Sequence, residues 1–129
     1  MRHSFSVTAK SSIIQLRDAD TRADMPDSMG SARLAATASG VFIGTRMAMD
    51  GLTTLVVDTD AHGEPDGDPA FAGLLATPSG RLVILSGHDE VICEFSVPTP
   101  QTPVRVWKNH HREPTEIVVF IEPRTRVVR

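Results

Sequence analysis

FAGLLATPSGRLVILSG, residues 71–87, reads as two apolar runs around a Pro-Ser-Gly turn. Pro78 presets the negative φ of a turn, Ser79 suits the next position, and Gly80 can take the left-handed conformation that closes a short connection. The stretch therefore predicts a β-hairpin with strands near 71–77 and 81–86. LVIL in its second arm is apolar at successive positions, as a strand covered on both faces must be.

The same grammar runs outward in both directions. HSFSVTA (3–9) alternates Phe5, Val7 and Ala9 against Ser4, Ser6 and Thr8, the period of two of a half-buried strand. SIIQLR (12–17), GVFIGTRM (40–47) and LTTLVVD (52–58) have strand composition. EVICEFSV (90–97) alternates again, a proline-rich link leads to VRVWKN (104–109), and TEIVVFIEP (115–123) closes the set. The single helix candidate is PDSMGSARLAATA (26–38), with Asp27 or Ser28 as cap. The alternative for Asp18 to Ser39 is a long loop, a place where binding residues concentrate. About eight short strands with frequent turn signals predict one domain over residues 1–129, an all-β, antiparallel two-sheet β-sandwich with at most one short helix.

Bulk properties agree. The 129 residues are 40% hydrophobic and 22% charged, enough for one core without staples. Cys93 is the one cysteine, which excludes an internal disulfide and a cysteine-built zinc site. No run is long and apolar enough for a membrane span, and MRHSFSVTAK lacks the apolar core of a secretory signal. The expectation is a cytoplasmic protein with no membrane partner.

The net charge of −3 hides an uneven distribution. Between Met47 and Gly80 lie six acidic residues and no Lys or Arg, whereas Arg105 to Arg129 holds six basic residues against three acidic ones. DTDAHGEPDGDP (58–69) concentrates five carboxylates and His62. Set against an EF-hand, Asp58, Asp60, Gly63 and Asp66 fit, but His62, Pro65 and Pro69 fall at positions that reject the motif, and the flanks are strands. A looser divalent-cation site on Asp58, Asp60 and Asp66 remains an alternative. The leading reading is a hairpin connection rich in turn formers, whose charge offers a face to a basic protein through Asp58, Asp60, Glu64, Asp66 and Asp68.

Other candidates carry less. His110 and His111 are adjacent, so on an extended chain they point to opposite faces and do not share a metal. His88 with Asp89 or Glu90 has only proximity to suggest an acid and base. Cys93 sits on the apolar face of its strand and reads as a small buried hydrophobe. Arg105 and Trp107 share a face opposite Val104 and Val106, and these two residue types dominate interface hot spots. No phosphate loop, nucleophile elbow or HExxH helix occurs. The basic C-terminal residues lack interleaved aromatics, which disfavours nucleic acid as a partner.

TPSGRLVI (77–84), EVICEFSVP (90–98), the link PTPQTP (98–103) and VRVW (104–107) together resemble the C-terminal half of small bacterial β-sandwich proteins of the competence-J, nuclease-inhibitor type. The resemblance spans about residues 78–121. It implies an antiparallel sandwich that acts by binding another protein, often a toxin or nuclease, and it assigns no functional residue. The combined expectation is a non-enzymatic, cofactor-free protein-binding sandwich, an inhibitor or immunity-type partner. The alternatives are the metal-binding domain above and a jelly-roll-like structural subunit of a larger assembly.

Overall fold

The structure, a computed structural model, describes residues 2–8, 12–30, 33–46, 51–59, 65–87, 90–97, 99–110 and 114–122. Ten strands follow in chain order: β1 (Arg2–Val7), β2 (Ile13–Asp18), β3 (Leu34–Thr37), β4 (Gly40–Gly44), β5 (Thr53–Asp58), β6 (Phe71–Ala76), β7 (Arg81–Ser86), β8 (Glu90–Ser96), β9 (Gln101–Lys108) and β10 (Glu116–Ile121). They form two five-stranded sheets, ordered β1-β5-β10-β9-β6 and β3-β4-β2-β7-β8, here called sheet A and sheet B. All pairings are antiparallel except β5 with β10, which is parallel. Among the described residues there is no α-helix, and no helix long and apolar enough to cross a membrane.

The period of two places the core. Ile14 and Leu16 of β2, Val41 and Ile43 of β4, and Leu82 and Ile84 of β7 point from sheet B to meet Leu55, Val57, Val104, Val106, Ile117 and Val119 from sheet A. Their buried area is the main favourable term for the fold, at roughly 25 cal/mol per Å² of apolar surface removed from water. LVIL (82–85) and IVVF (117–120), each apolar at successive positions, hold interior positions, as their composition predicts. β10 is the middle strand of sheet A, and β7 lies between β2 and β8.

β6 and β7 fall within one residue of the expected boundaries, but the two strands do not pair with each other. β6 pairs with β9 in sheet A, while β7 pairs with β2 and β8 in sheet B. The hairpin is instead β7–β8. It continues as a longer two-stranded ribbon, 71–76 against 101–106 and 81–86 against 90–96, that bends over, so that one half joins sheet A and the other sheet B. The Pro-Ser-Gly turn is the corner of this bend. Gly80 has φ +79° and donates its N–H to Thr77 O at 3.1 Å.

The second arm turns alongside and is tied to the first. Thr77 N–H reaches Pro100 O at 2.7 Å, and Val97 N–H reaches Gly80 O at 2.9 Å. The Thr77 hydroxyl lies 2.8 Å from that of Thr102. The end of β2 braces the corner: the buried Asp18 carboxylate accepts from Ser79 N–H at 2.9 Å, the Ser79 hydroxyl at 2.7 Å and Asp20 N–H at 3.0 Å. Burial alone would raise the Asp18 pKa, but the Ser79 and Asp20 hydrogen bonds outweigh it and hold the carboxyl below its ordinary value.

Among the described residues of the segment 26–38 none is helical. Residues 19–30 form a loop over sheet B, and Leu34–Thr37 is the short edge strand β3, paired with β4. Leu-Ala-Ala-Thr has no alternation strong enough to mark it as a strand. Its pairing to β4 decides the conformation.

Candidate functional site

The outer face of sheet A gathers most of the candidate residues. Because Ile117, Val119 and Ile121 of β10 point into the core, Val118 and Phe120 point outward. Register sets Val118 beside Trp107 of β9 and Val56 of β5, and Phe120 beside Arg105 and Asp58. Val56, Trp107, Val118 and Phe120 make a second apolar cluster, separate from the core and buried in its turn. Arg105 and Trp107 do share a face, opposite Val104 and Val106, and the Arg105 guanidinium lies 4.6 Å from the centre of the Phe120 ring.

Part of the acidic segment covers this cluster. β9 is antiparallel to both β10 and β6, so β6 runs parallel to β5 and stands three strand spacings from it, about 14 Å. The connection 59–70 is therefore not a hairpin tip. The two strands it joins lie on opposite sides of β10 and β9, and residues 65–68 lie on the outer face of the sheet. The Trp107 indole N–H donates to Gly67 O at 3.2 Å, and Ala70 N–H donates to Val106 O at 2.7 Å. Gly67 has φ +89°, a conformation glycine adopts at no steric cost, and this turns its carbonyl onto the indole. Asp66 and Asp68, on either side of it, are exposed.

Beneath this strap is a cavity of about 200 Å³, lined by Pro65, Asp66, Trp107, Lys108, Asn109, Glu116 and Val118. Asn109 fixes its far wall. The Asn109 side-chain oxygen accepts from Thr115 N–H at 3.0 Å and Glu116 N–H at 3.1 Å, and its amide N–H donates to the Thr115 hydroxyl at 2.7 Å.

The acidic candidates do not share one environment. Asp58 is buried at the end of β5, and its carboxylate lies 3.3 Å from the Arg2 guanidinium, so it is not a solvated loop residue. Asp60, His62 and Glu64 lie outside the described residues. Among the described residues no group of three or more His, Cys, Asp or Glu side chains is arranged to hold a metal ion. His110 is exposed, whereas His111, His88 and Asp89 lie outside the described residues. His3 stacks beside Phe5 at 6.4 Å and meets Phe95 at 5.6 Å. Cys93 is half-buried, and burial pushes its thiol up to about 11, as a structural thiol requires.

One cluster was not singled out by residue type. Gln15 and Arg17 point outward from β2 beneath the loop 19–25 and line a separate cavity with Arg22. The outward polar positions of IIQLRD, followed by a long loop, are the only sequence signal for it.

No protein-family model matches the sequence, and no curated protein matches it. Two solved structures share its fold along nearly its full length. ComJ from Bacillus subtilis, described as an inhibitor of the DNA degrading activity of NucA, aligns with a TM-score of 0.68 over 95% of each chain, at 9% sequence identity. A protein described as Crocagin biosynthetic gene J aligns with a TM-score of 0.53 over 96% of each chain, at 12% identity. The likeness to the competence-J type thus extends from the C-terminal half to the whole fold.

Proposed function

We propose that this chain is a protein-binding β-sandwich that works without catalysis, as an inhibitor or immunity-type partner of a toxin or nuclease with a basic surface. The observation that carries the reading is the strap on sheet A. Its backbone is anchored over an apolar cluster by the Trp107 indole, so Asp66 and Asp68 are held outward in a fixed place. Carboxylates fixed on a folded face meet a cationic partner with little ordering left to do on binding, and they speed its encounter. The whole-length likeness of fold to a nuclease inhibitor supports the choice of partner class.

The test is capture followed by inhibition. The immobilised chain and its Asp66→Asn/Asp68→Asn variant are exposed to lysate of the native host over a range of ionic strength. DNA cleavage by the eluate is then measured with and without added chain. The expected result is a basic protein retained at low salt, released at high salt, held less well by the variant, and inhibited by the added chain. A partner that binds both forms equally, or a retained nuclease that the chain leaves fully active, refutes the proposal.

A further inference from the structure

We propose that the outer face of sheet B carries a binding site for a small oxyanion, of carboxylate or phosphate type, built on Arg17 and Arg22. Ile14 and Leu16 are locked in the core, which turns Gln15 and Arg17 outward, and the loop after β2 folds back over them with Ala23 buried. Between loop and sheet lies a cavity of about 300 Å³, lined by Gln15, Arg17, Asp20, Arg22 and Met25 with Ala19 and Ala23. It has room for about ten water molecules, which suits a small anion and part of its carrier rather than a large cofactor.

Arg17 is already positioned. Its Nη1 donates to Asp18 O at 2.8 Å and Ala19 O at 3.2 Å, so one corner of the guanidinium holds the loop. The N–H groups on Nε and Nη2 remain as a planar donor pair of the kind that matches a carboxylate or phosphate edge. Arg22 adds a second cation at the exposed rim and Gln15 an amide donor. Asp20 is the one acid in the lining against Arg17 and Arg22, and its carboxylate is held at 2.7 Å by Arg81, which also lies 3.7 Å from Glu94, so the lining keeps a net positive charge. This face is opposite the acidic strap, and the site is independent of the function proposed above.

Nuclear magnetic resonance titration of the full chain tests it, following the side-chain signals of Gln15, Arg17 and Arg22. Inorganic phosphate, acetate and a short Glu-containing blocked peptide are added in turn, with sodium chloride at matched ionic strength as the blank. The expected result is a saturable shift confined to these groups. Arg22→Gln weakens binding about tenfold, the loss of one charge-assisted hydrogen bond, and Asp20→Asn tightens it. A preference for phosphate assigns the site to a phosphate group, and a preference for the peptide assigns it to a carboxylate of a protein. Shifts that do not saturate beyond the chloride blank, indifference to Arg22→Gln, or weakening by Asp20→Asn would overturn the proposal.

Discussion

Replacing Asp18 with Asn tests whether the bend between the sheets depends on a charged acceptor. The change keeps the side-chain shape but removes the charge that receives three donors, from Ser79 N–H, the Ser79 hydroxyl and Asp20 N–H. Hydrogen bonds to a charged group contribute roughly 1.5–3 kcal/mol, against about 1 kcal/mol for neutral pairs. Losing the difference at three bonds, with one oxygen replaced by a donating amide, costs about 2–3 kcal/mol. A domain of this kind has roughly 5–15 kcal/mol in total, and each kcal/mol moves the midpoint by roughly 3–4 °C. Tm should therefore fall by about 6–12 °C at neutral pH.

The pH dependence follows from the direction of the pKa shift. The folded carboxyl is held below its ordinary value of 3.8. As pH falls, the unfolded chain takes up the proton first, so the stabilisation is complete well above pH 4 and shrinks as pH drops toward the folded pKa. Urea unfolding between about pH 3 and 7, followed through the fluorescence of the single Trp107, compares the wild type with Asp18→Asn. The gap should be constant from about pH 5 upward and narrow below about pH 4. A gap of the same size at both ends, or none at pH 7, would refute the assignment of charge as the cause.

Three further outcomes are expected. Trp107→Phe keeps a ring among Val56, Val118 and Phe120 but removes the donor to Gly67. It should cost about 1 kcal/mol and speed hydrogen exchange selectively in residues 65–70; uniform exchange would show that the indole does not anchor the strap. With its thiol pushed up from 9.0 to about 11, native Cys93 should alkylate at pH 8 about 100-fold more slowly than in the denatured chain, in proportion to the thiolate present; equal rates would contradict its burial. Gly80→Ala forces a side chain onto φ +79° at the corner and should lower stability by about 1–2 kcal/mol, whereas an unchanged urea midpoint would mean that the corner relaxes freely.

The elements were legible in the sequence where chemistry is local, and their connections were not. EIVVFI announces a strand covered on both faces, and β10 is one, because a residue's apolarity is independent of what covers it. Pro78-Ser79-Gly80 announces a turn, and there is one. The same three residues serve a chain that doubles back and a chain that bends over a corner, since both need a left-handed position at Gly80. What separates the two outcomes is the pairing of β6 with β9 rather than with β7, and those partners lie 25 to 35 positions away. β3 escaped notice for the complementary reason: Leu34–Thr37 has little pattern of its own and takes its conformation from β4.

The acidic segment shows the same limit with a consequence for function. Read locally, Asp, Gly and Pro make a soluble hairpin tip, and nothing in those twelve residues points to Trp107. Yet the alternation of β9 and β10 that buries Val106 and Val119 on one side must put Trp107, Val118 and Phe120 on the other, where an apolar cluster in water is costly. The described part of the connection between β5 and β6, residues 65–68, lies against this face and covers the cluster with backbone and Pro65 while Asp66 and Asp68 stay in solvent. The placement of the charges is thus a result of how the sheet is covered. Its backbone ordering is completed in folding, so a partner that docks on these carboxylates finds them already in position. The same logic predicts where affinity should be most sensitive: loss of Asp66 or Asp68 should mainly slow association in a salt-dependent way, while loss of the Trp107 donor should weaken binding through disorder of the strap, at unchanged net charge.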